Sequence, residues 1–397
     1  MIPVFYTRCL QGNHPEGHVQ AVRMFVKALE SLSTYPAVFD FEYGCAYPPP
    51  ESSSMEVRRL PFIGCESAIS GRADLRTAVT LLFEAFSSLY FGGTELEAFR
   101  GKQDIVVNVT NCFRYMRLLD RRPQYPLVLH YYMREPSCRI LGSWLSGNAD
   151  GFLASSHSLK QYLIRCRLPA ANIKVAYPPV DTSMYRPLDK TKIRQTLGMS
   201  RDSKVVLYMG SLKEGRFPLQ TIVETLSEVS RELPSLMLLV AILDRPEERE
   251  RAEQLVRTAE KCGVSGKVVL QIKNLSDKEK NALYATSDLF LYPASNPSMA
   301  IEPPLTILES MASGTPILAC WQPSVAEIIE DPECGEMADC CQPTSLSRTL
   351  LALLSDESRL AKLSTNCRRV ALAKFSLRVS GRGLLEWFDE ILNQIHT

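Results

Sequence analysis

The sequence predicts an α/β protein built from two Rossmann-like domains that face a cleft. Apolar runs of strand length alternate with amphipathic segments of helix length, and the runs are continuously apolar, which is typical of parallel strands covered on both faces. The 397 residues suffice for two to three domains of about 150 residues. A segment rich in proline and charge, 177–192, separates two blocks of this pattern. Because ligands of such sheets bind beyond the carboxyl ends of the strands, we expect both domains to face the cleft with those ends.

The second block shows the alternation most clearly. It starts with the run KVVLYMG at 204–210, which predicts a strand, and continues as strand–helix repeats to the short strand TPILAC at 315–320. Only helices are predicted after that strand. Between these two strands, the pattern predicts a helix over 217–233, a strand over 235–243, a charged helix ending near Cys262, a strand over 267–272, a helix over 276–287, a strand over 288–293 and a helix over 305–313.

The first block shows the same pattern less regularly, and its stretch 46–64 is interpreted as a surface loop insertion. We divide the chain into an N-terminal domain, 1–182, and a C-terminal domain, 183–377. A helix over 378–395 is expected to complete the first domain. The strands predicted in the first block lie near 36–42, 104–109, 126–131, 150–155 and 173–177.

Composition and charge exclude several classes of protein. The 45 lysines and arginines nearly balance the 44 acidic residues, so no global field draws the chain to nucleic acid, and the sequence has no RNP or zinc-finger pattern. No run of about 18 uncharged apolar residues is present to span a bilayer. The first residues lack the basic start and apolar block of a secretory signal, so we expect a cytoplasmic protein.

The 12 cysteines are expected to be reduced and mostly buried. None forms a Cys-x-x-Cys pair or lies with histidine at zinc-finger spacing, so no metal site is predicted. Several lie in apolar runs, as Cys320 does in ILAC, where a thiol serves as a small hydrophobic group. The adjacent Cys340 and Cys341 are the one place to look for redox chemistry, and we predict a structural role there too.

The segment EPPLTILE, from Glu302 to Glu309, carries the sharpest local motif. Pro304 is expected at the first position of a helix that stops at Gly314. Exposed N–H groups near Leu305 and Thr306 would then form a site for a phosphate. The glutamates could accept hydrogen bonds from sugar hydroxyls, or both could be solvated acids that the helix dipole favours near its start.

The turn GSLKEGRF, 210–217, follows a predicted buried strand and opens a helix. Gly210 and Gly215 permit close approach of the backbone to a ligand, and Lys213 and Arg216 supply positive charge. The turn is neither a Walker A loop nor a GxGxxG motif. Taken alone, it fits an ordinary strand-to-helix turn with solvated cations equally well.

In their order along the chain, these motifs resemble the family 4 (group 1) retaining glycosyltransferases of the GT-B fold. Upstream, ADGFLASSHSLKQYL and IKVAYPPVD, within 149–181, resemble the end of that family's amino-terminal domain. The similarity extends over most of the second block. Its matching pieces are the turn at 210–216, LSDKEKNALYATSDLFLYP, EPPLTILESMASGTPILA, VAEIIED and a late AKFS.

The resemblance implies donor-binding roles for residues of both motifs. Arg216 matches the basic residue that binds the donor diphosphate, with Gly210 and Lys213 in the same turn. Glu309 matches the glutamate that holds the nucleotide ribose. The backbone amides near Leu305 and Thr306 match those that contact the diphosphate and the donor sugar.

His130 and Glu302 are the predicted catalytic residues. His130 ends a predicted strand and resembles the family's histidine that faces the donor sugar, although a lone histidine at a strand end is also a common structural residue. Gly17, with His18, opens a helix and resembles the glycine-rich loop that meets the diphosphate or the acceptor.

Three features depart from the family's pattern. Glu302 and Glu309 are seven positions apart, one fewer than usual, so strict alignment places Ile301 where the first glutamate belongs. We expect Glu302 to take that role after a small loop shift. Ser211 stands where many members have a second diphosphate-binding arginine, and Lys213 is expected to compensate. The residues before Gly17 match the usual first strand and double-glycine loop poorly.

The stretch 114–139 is rich in arginine and tyrosine. A solvated face is one interpretation. The other is a surface that meets an acceptor phosphate or lipid headgroups, which predicts peripheral contact with the inner face of a membrane. The basic residues are Arg114, Arg117, Arg121, Arg122, Arg134 and Arg139.

The resemblance implies a retaining, metal-independent glycosyltransferase with no separate cofactor. Its partners would be a nucleoside-diphosphate sugar as donor and a glycan, a lipid-linked sugar or a small molecule as acceptor. Ser211 and the shifted glutamate keep open a second class, a non-catalytic sugar-nucleotide-binding or scaffold protein. A nucleotide-sugar epimerase of the same fold is a third interpretation, which the C-terminal motifs match less well.

Overall fold

The computed structural model divides the chain into two compact units. Met1–Pro178 and Leu377–Thr397 form the N-terminal unit, and Pro179–Ser376 form the C-terminal unit. The boundary placed at 182 from the sequence lies just inside the second unit. The structure describes residues 3–7, 17–34, 37–40, 45–47, 105–109, 126–134, 139, 147, 149–196, 198–294, 296, 301–330 and 333–396.

The N-terminal unit contains a seven-stranded sheet in the order β3-β2-β1-β4-β5-β6-β7. All neighbouring strands are parallel except β2 and β3, which are antiparallel. The predicted strands of the first block are all present. The elements are β1 (Pro3–Thr7), α1 (Gly17–Glu30), β2 (Ala37–Asp40), β3 (Cys45–Tyr47), β4 (Ile105–Val109), β5 (Leu127–Tyr131), β6 (Gly151–Ala154), α2 (His157–Arg165) and β7 (Ile173–Val175).

The C-terminal helix, Leu377–His396, packs against the N-terminal unit. Trp387 and Ile391 of this helix press on β6 at Gly151, where an added Cβ would lie 2.8 Å from Ile391 Cδ1. Gly381 comes equally close to α1, because its Cβ would lie 2.6 Å from the carbonyl oxygen of Ala28. The end of the chain is therefore part of the first unit's core, in the place where a helix over 378–395 was expected.

The C-terminal unit contains a six-stranded parallel sheet in the order β10-β9-β8-β11-β12-β13. Helices follow the strands, as the alternating pattern predicts. The elements are α3 (Lys190–Thr196), β8 (Lys204–Met209), α4 (Leu219–Glu232), β9 (Leu236–Ile242), α5 (Pro246–Lys261), β10 (Val268–Ile272), α6 (Asp277–Thr286), β11 (Leu289–Tyr292), α7 (Leu305–Ala312), β12 (Ile317–Cys320), α8 (Pro323–Ile329), β13 (Gly335–Ala338), α9 (Pro343–Ser355) and α10 (Glu357–Val370).

Apolar residues that line both faces of this sheet explain why its strands read as continuous runs. In β8, Val206 and Tyr208 pack on one face with α4, and in β9 Leu238 and Val240 join the same cluster. The remaining buried residues of these strands, such as Val205 and Leu239, face the opposite side. The buried sheet therefore holds the carboxyl ends of its strands at fixed positions.

The prediction of helices alone after residue 320 was wrong, because β13 adds a sixth strand at the sheet edge. Its sequence, GEMA, contains a glycine and a glutamate and has no apolar run, so periodicity did not reveal it. Strands β1 and β3 of the N-terminal unit were also not predicted. The stretch interpreted as a loop at 46–64 begins inside β3, and the rest of it lies outside the described residues.

Gly335, in β13, lies too close to the backbone of β12 to carry a side chain. A Cβ at this position would lie 2.2 Å from the carbonyl oxygen of Ile317 on β12. Replacing Gly335 by alanine therefore forces β13 away from β12, and we expect the free energy of unfolding to fall by about 1–3 kcal/mol. Urea unfolding measures this change. The control, Gly266→Ala, has no atom within 4 Å of the new Cβ and is expected to leave stability nearly unchanged.

Candidate functional site

The carboxyl ends of β8 and β11 meet at the centre of the C-terminal sheet. The two strands are neighbours, with Val206 opposite Leu289 and Leu207 opposite Phe290. From β8 the chain continues to β9 on one side, and from β11 it continues to β12 on the other. Connections that leave two adjacent parallel strands in opposite directions open a crevice at their carboxyl ends, where ligands of such sheets bind.

The turn after β8, 210–217, is tied down by hydrogen bonds within itself and to the strand. Tyr208 Oη donates to the carbonyl oxygen of Ser211 at 2.6 Å. The N–H groups of Arg216 and Phe217 both donate to the carbonyl oxygen of Lys213, at 3.0 and 3.1 Å. A Cβ on Gly210 would lie 3.0 Å from Tyr208 Oη, so a glycine at this position preserves the first of these bonds. The backbone of the turn is thus fixed with Arg216 near its end.

Ser211, which stands where many family members have an arginine, is bound to a buried carboxylate. Its Oγ donates to Glu248 Oε1 at 2.5 Å, and the N–H of Leu212 donates to Glu248 Oε2 at 2.8 Å. Arg251 completes the cluster, 2.6 Å from Glu248 Oε1. Glu248 therefore anchors the start of the turn to α5, and sequence analysis did not identify this residue.

Replacing Glu248 by glutamine tests this anchor. The amide keeps the size of the side chain but converts charge-assisted hydrogen bonds into neutral ones, so we expect the free energy of unfolding to fall by about 1–2 kcal/mol. The matched control on the same helix is Glu253→Gln. Glu253 is exposed and pairs with Arg257 at 3.5 Å, so its loss is expected to have little effect. Equal stability of the two variants in urea would contradict the anchoring role.

Arg216 and Glu302 share one neighbourhood around Tyr292, the last residue of β11. The pKa of Tyr292 is raised to about 12, mainly by burial. The positive charge of Arg216 opposes this rise, and the negative charge of Glu302 adds to it. Arg216 acts in the same direction on Tyr208, whose pKa burial raises. Gln322, after β12, donates to the carbonyl oxygen of Ala294 and hydrogen-bonds Tyr292. A cation and a carboxylate therefore both lie within electrostatic reach of Tyr292 at the carboxyl edge.

Glu302 and Ile301 lie just before α7, and both are buried. Only 1% of Glu302 is exposed, and Ile301 is a buried apolar residue. Ile301, which takes the place of the first glutamate when the family motif is aligned on Glu309, thus belongs to the core. Glu302 is the residue of the two whose charge raises the pKa of Tyr292. This placement is compatible with the small loop shift expected from the sequence.

Pro304 is the N-cap of α7 rather than its first helical residue, because its ψ of 133° is extended. The helix begins at Leu305, as expected, and Leu305 and Thr306 are half-buried. The N–H groups of a helix's first turn have no acceptor within the helix, so those of Leu305 and Thr306 are suited to an anion. Gly314, with φ of 75°, ends the helix as predicted.

Glu309, on the second turn of α7, is held by two side chains of α6. Lys280 Nζ donates to Glu309 Oε1 at 3.2 Å, and Tyr284 Oη donates to Oε2 at 2.9 Å. Burial alone lowers the pKa of Lys280, but the carboxylates of Glu309 and Asp277 more than offset this, so the pKa is raised and the ammonium persists. Each carboxylate oxygen keeps a second lone pair for a ligand hydroxyl. Lys280 and Tyr284, spaced one helical turn apart, were not identified from the sequence.

The remaining predicted residues of the C-terminal unit occupy different environments. Lys213 is exposed at the tip of the turn, and its N–H donates to Ser211 Oγ at 3.2 Å. Gly215, next to it, has a φ of 83° that favours glycine. The structure thus places the Lys213 side chain in solvent. Compensation for the missing arginine by Lys213 remains a prediction.

His130 lies in β5 of the N-terminal unit and is fully buried. Its ring stacks on Tyr132 with a centroid separation of 4.1 Å and contacts the edge of Phe25 at 5.0 Å. Neither ring nitrogen has a hydrogen-bond partner among the residues that the structure describes. Burial lowers the pKa of His130 from its ordinary 6.5 to about 3, so the imidazole is neutral at pH 7.

The other predicted features of the N-terminal unit are only partly described. Gly17 is the first residue of α1, and the residues before it from 8 onward lie outside the described ranges. Most of the stretch 114–139 lies outside them too. Of its basic residues, Arg134 donates to Ser158 Oγ at 2.8 Å, and the guanidinium carbons of Arg134 and Arg139 lie 5.9 and 6.0 Å from the ring centroid of Tyr162.

Charge and hydrogen-bonding groups at the carboxyl edge fit a ligand that carries both anionic and hydroxyl groups. Arg216 and the start of α7 are suited to phosphate, and Glu302 and Glu309 are suited to hydroxyls. Among the described residues, no three histidines, cysteines or carboxylates are grouped to hold a metal ion. No helix in the described part of the chain is long and apolar enough to cross a membrane.

Comparisons with known proteins agree with this chemistry. Residues 189–370 match the family model described as glycosyl transferases group 1. The D-inositol 3-phosphate glycosyltransferase of Thermobispora bispora is 28% identical over 268 residues, which are 66% of this chain and 61% of that protein. The protein of the same name from Rhodococcus opacus is 26% identical over 64% of this chain and 56% of its own length. The chain thus spans about three fifths of the curated relatives it matches.

Solved structures resemble the chain over nearly its whole length. Sucrose-phosphate synthase from Thermosynechococcus elongatus has a TM-score of 0.72 at 17% identity, covering 99% of this chain and 100% of that one. Anabaena Alr3699/HepE in complex with UDP and glucose has a TM-score of 0.69 at 16% identity, covering 98% and 100%. These likenesses establish the GT-B fold with its two Rossmann-like domains.

Proposed function

We propose that this chain is a group 1 glycosyltransferase that transfers a sugar from a nucleoside-diphosphate sugar to an acceptor, since residues 189–370 match that family's model and the chain has the GT-B fold. The observation that carries this proposal is that Arg216 and Glu302 both act electrostatically on Tyr292, the last residue of β11, with Glu302 three residues before α7 begins. A cation and the N–H groups of a helix start near the crevice of a doubly wound sheet would suit a diphosphate.

We assign the diphosphate to Arg216 and to the backbone N–H groups of Leu305 and Thr306. Cleavage of the anomeric bond leaves negative charge on the departing diphosphate, and groups fixed beforehand around that charge lower the barrier most. The backbone turn that carries Arg216 is fixed, because its start is bonded to Tyr208 and Glu248. Glu309 receives the ribose hydroxyls, and Glu302 receives the hydroxyls of the sugar.

The reaction that we propose is retaining and needs no metal ion. With Arg216 and helix N–H groups to stabilise the departing diphosphate, acceptor attack on the face that the diphosphate leaves would retain the configuration. The departing phosphate would take the acceptor's proton. His130, at the carboxyl end of β5, is proposed to face the donor sugar as a neutral hydrogen-bonding group, because its low pKa makes it unable to donate a proton as an acid at neutral pH.

The donor and acceptor classes follow from the relatives. Alr3699/HepE was solved with UDP-glucose, so uridine-diphosphate sugars are the first donors to test. The curated relatives are named for D-inositol 3-phosphate, which makes a small phosphorylated polyol the first acceptor to test, ahead of glycans and lipid-linked sugars. A phosphorylated acceptor would also suit the arginines of the stretch 114–139. We propose that the protein acts in the cytoplasm and contacts the inner face of the membrane through that stretch.

A thermal-unfolding screen with UDP, UDP-glucose and other nucleoside-diphosphate sugars tests the proposal. A ligand at 100 times its dissociation constant is expected to raise the free energy of unfolding by about 2.7 kcal/mol. The best donor is then incubated with acceptors in the presence of EDTA, and NMR reports the anomeric configuration of the product. Full activity with EDTA and a retained configuration are expected. Absence of both stabilisation and transfer with every donor would contradict the proposed function.

A further inference from the structure

The segment 177–192, which separates the two blocks of the sequence, brings a tyrosine to the surroundings of Glu309. Tyr185 lies in the C-terminal unit and is buried. Its ring contacts that of Tyr284 edge-on, with a centroid separation of 6.2 Å, and Tyr284 is one of the two residues that hold Glu309. A part of the chain that looks only like a separator in the sequence therefore reaches the residues around Glu309.

The ammonium group of Lys280 is held by three contacts. Its Nζ lies 2.8 Å from Asp277 Oδ1 and 3.2 Å from Glu309 Oε1. The same atom lies 5.4 Å from the centroid of the Tyr185 ring, within the range of a cation–π interaction. Because an ammonium has three N–H groups to donate, these contacts leave it little freedom to move. The donor that faces Glu309 Oε1 is therefore fixed in position.

Tyr185 also holds Asp277, which is the more exposed of the two carboxylates. Tyr185 Oη donates to Asp277 Oδ1 at 2.9 Å, the same oxygen that Lys280 contacts. Burial and the carboxylates of Glu309 and Asp277 raise the pKa of Tyr185, so the hydroxyl keeps its proton and remains a donor. The side chain of Asp277 is 48% accessible, against 13% for Glu309, so this bond restrains a carboxylate that solvent would otherwise leave mobile.

The backbone around Tyr185 is tied to both α6 and α7. Arg368 Nη1 donates to the carbonyl oxygen of Tyr185 at 2.8 Å and to that of Ala312, the last residue of α7, at 2.7 Å. The N–H of Arg186 donates to Asn281 Oδ1, on α6, at 3.1 Å. Tyr185 therefore keeps its place relative to the two helices between which the carboxylate is held.

We propose that Lys280 is a positioning residue, which orients the Glu309 carboxylate for the ribose of the donor. Asp277 and Tyr185 hold Lys280 in place for this role. Lys280 and Tyr284 occupy one lone pair on each Glu309 oxygen, so the lone pairs that remain for ribose hydroxyls point in fixed directions. A carboxylate oriented in advance loses less conformational freedom when the ligand binds. The inference rests on the proposed function, because it requires Glu309 to receive the ribose hydroxyls.

Calorimetry of the full-length chain with UDP and with 2′,3′-dideoxy-UDP, which lacks both ribose hydroxyls, tests this role. The wild-type chain is expected to prefer UDP by about 10-fold or more, the value of one hydrogen bond to a charged group. Lys280→Met is expected to weaken UDP binding by about 10-fold and to leave the dideoxy nucleotide nearly unchanged, so that most of the preference is lost. Lys280→Arg should restore part of the preference, because the guanidinium keeps the charge and the donors. The matched control, Lys278→Met, changes an exposed lysine of the same helix and should bind both nucleotides like the wild type.

Two results for Lys280→Met would overturn the positioning role and leave the proposed function intact. One is an equal loss of affinity for the two nucleotides, which a general loosening of α6 would produce, and the other is an unchanged preference for UDP. Tyr185→Phe decides the question if Lys280→Met does not fold, because it removes the hydroxyl bond to Asp277 and keeps the ring beside the ammonium.

The preference for UDP is expected to fall by about 2- to 5-fold in Tyr185→Phe, and an unchanged preference would overturn the role. A wild-type chain that binds neither nucleotide would instead contradict the proposed function itself, and with it this role for Lys280.

Discussion

Arg216→Ala is expected to lower kcat/KM for the donor by about 10²–10³, the usual cost of removing one fixed group that stabilises developing negative charge. Arg216 is the cation that acts on both Tyr208 and Tyr292 at the carboxyl edge. Ser211 offers no second cation, since its hydroxyl is bound to Glu248. Lys213 is exposed and would have to leave solvent to replace the guanidinium. We therefore expect donor binding to depend on a single arginine.

Steady-state kinetics with the best donor measure this loss, and UDP binding by calorimetry shows how much of it is ground-state affinity. Arg216→Lys is expected to recover part of the activity, because the charge remains and the bidentate geometry does not. The control is Arg257→Ala, an exposed arginine on α5 whose side chain is 60% accessible. Normal turnover by Arg216→Ala would remove the diphosphate assignment, whereas equal losses in both variants would indicate a general effect of lost charge.

The sequence predicted the central strands of the C-terminal sheet well, because burial on both faces leaves a continuous apolar run that is visible in one dimension. KVVLYMG and SLMLLVAIL predicted β8 and β9 to within a few residues. The edge strand β13 was missed because an edge position tolerates a glutamate. Its glycine is required by the close approach to the backbone of Ile317, which no local pattern reveals. Strand prediction thus fails where packing against a single neighbour replaces burial on both faces.

Within the candidate site, local sequence patterns could predict only those residues whose position depends on the end of a strand or the start of a helix. Gly210, Leu305 and Thr306 follow from strand and helix ends, which local sequence encodes. The partners of Ser211 and Glu309 could not be predicted in this way, because Glu248 and Lys280 lie on other helices and meet them only in the folded chain. A single sequence therefore suggests candidate ligand-binding groups but not the groups on other helices that orient them.

Glu309→Gln is expected to raise KM for the donor by about 10- to 100-fold with a smaller change in kcat. A charged acceptor for a ribose hydroxyl contributes about 1.5–3 kcal/mol, and a neutral amide retains part of it. The ribose is bound equally in the ground state and the transition state, so its loss appears mainly in KM. Steady-state kinetics over a wide donor range provide the measurement. Glu232→Gln, an exposed glutamate at the end of α4, serves as the control.

A competing role for Glu309 is to join α6 to α7, since Lys280 and Tyr284 already occupy one lone pair on each of its oxygens. Tyr284→Phe separates the two roles, because it removes one of these bonds and leaves the carboxylate in place. If Glu309 only joins the helices, both variants should lose stability in urea and neither should change KM. If Glu309 binds ribose, Glu309→Gln should raise KM far more than Tyr284→Phe does at a similar loss of stability. The ratio of the two KM values therefore decides the assignment independently of how much either substitution destabilises the fold.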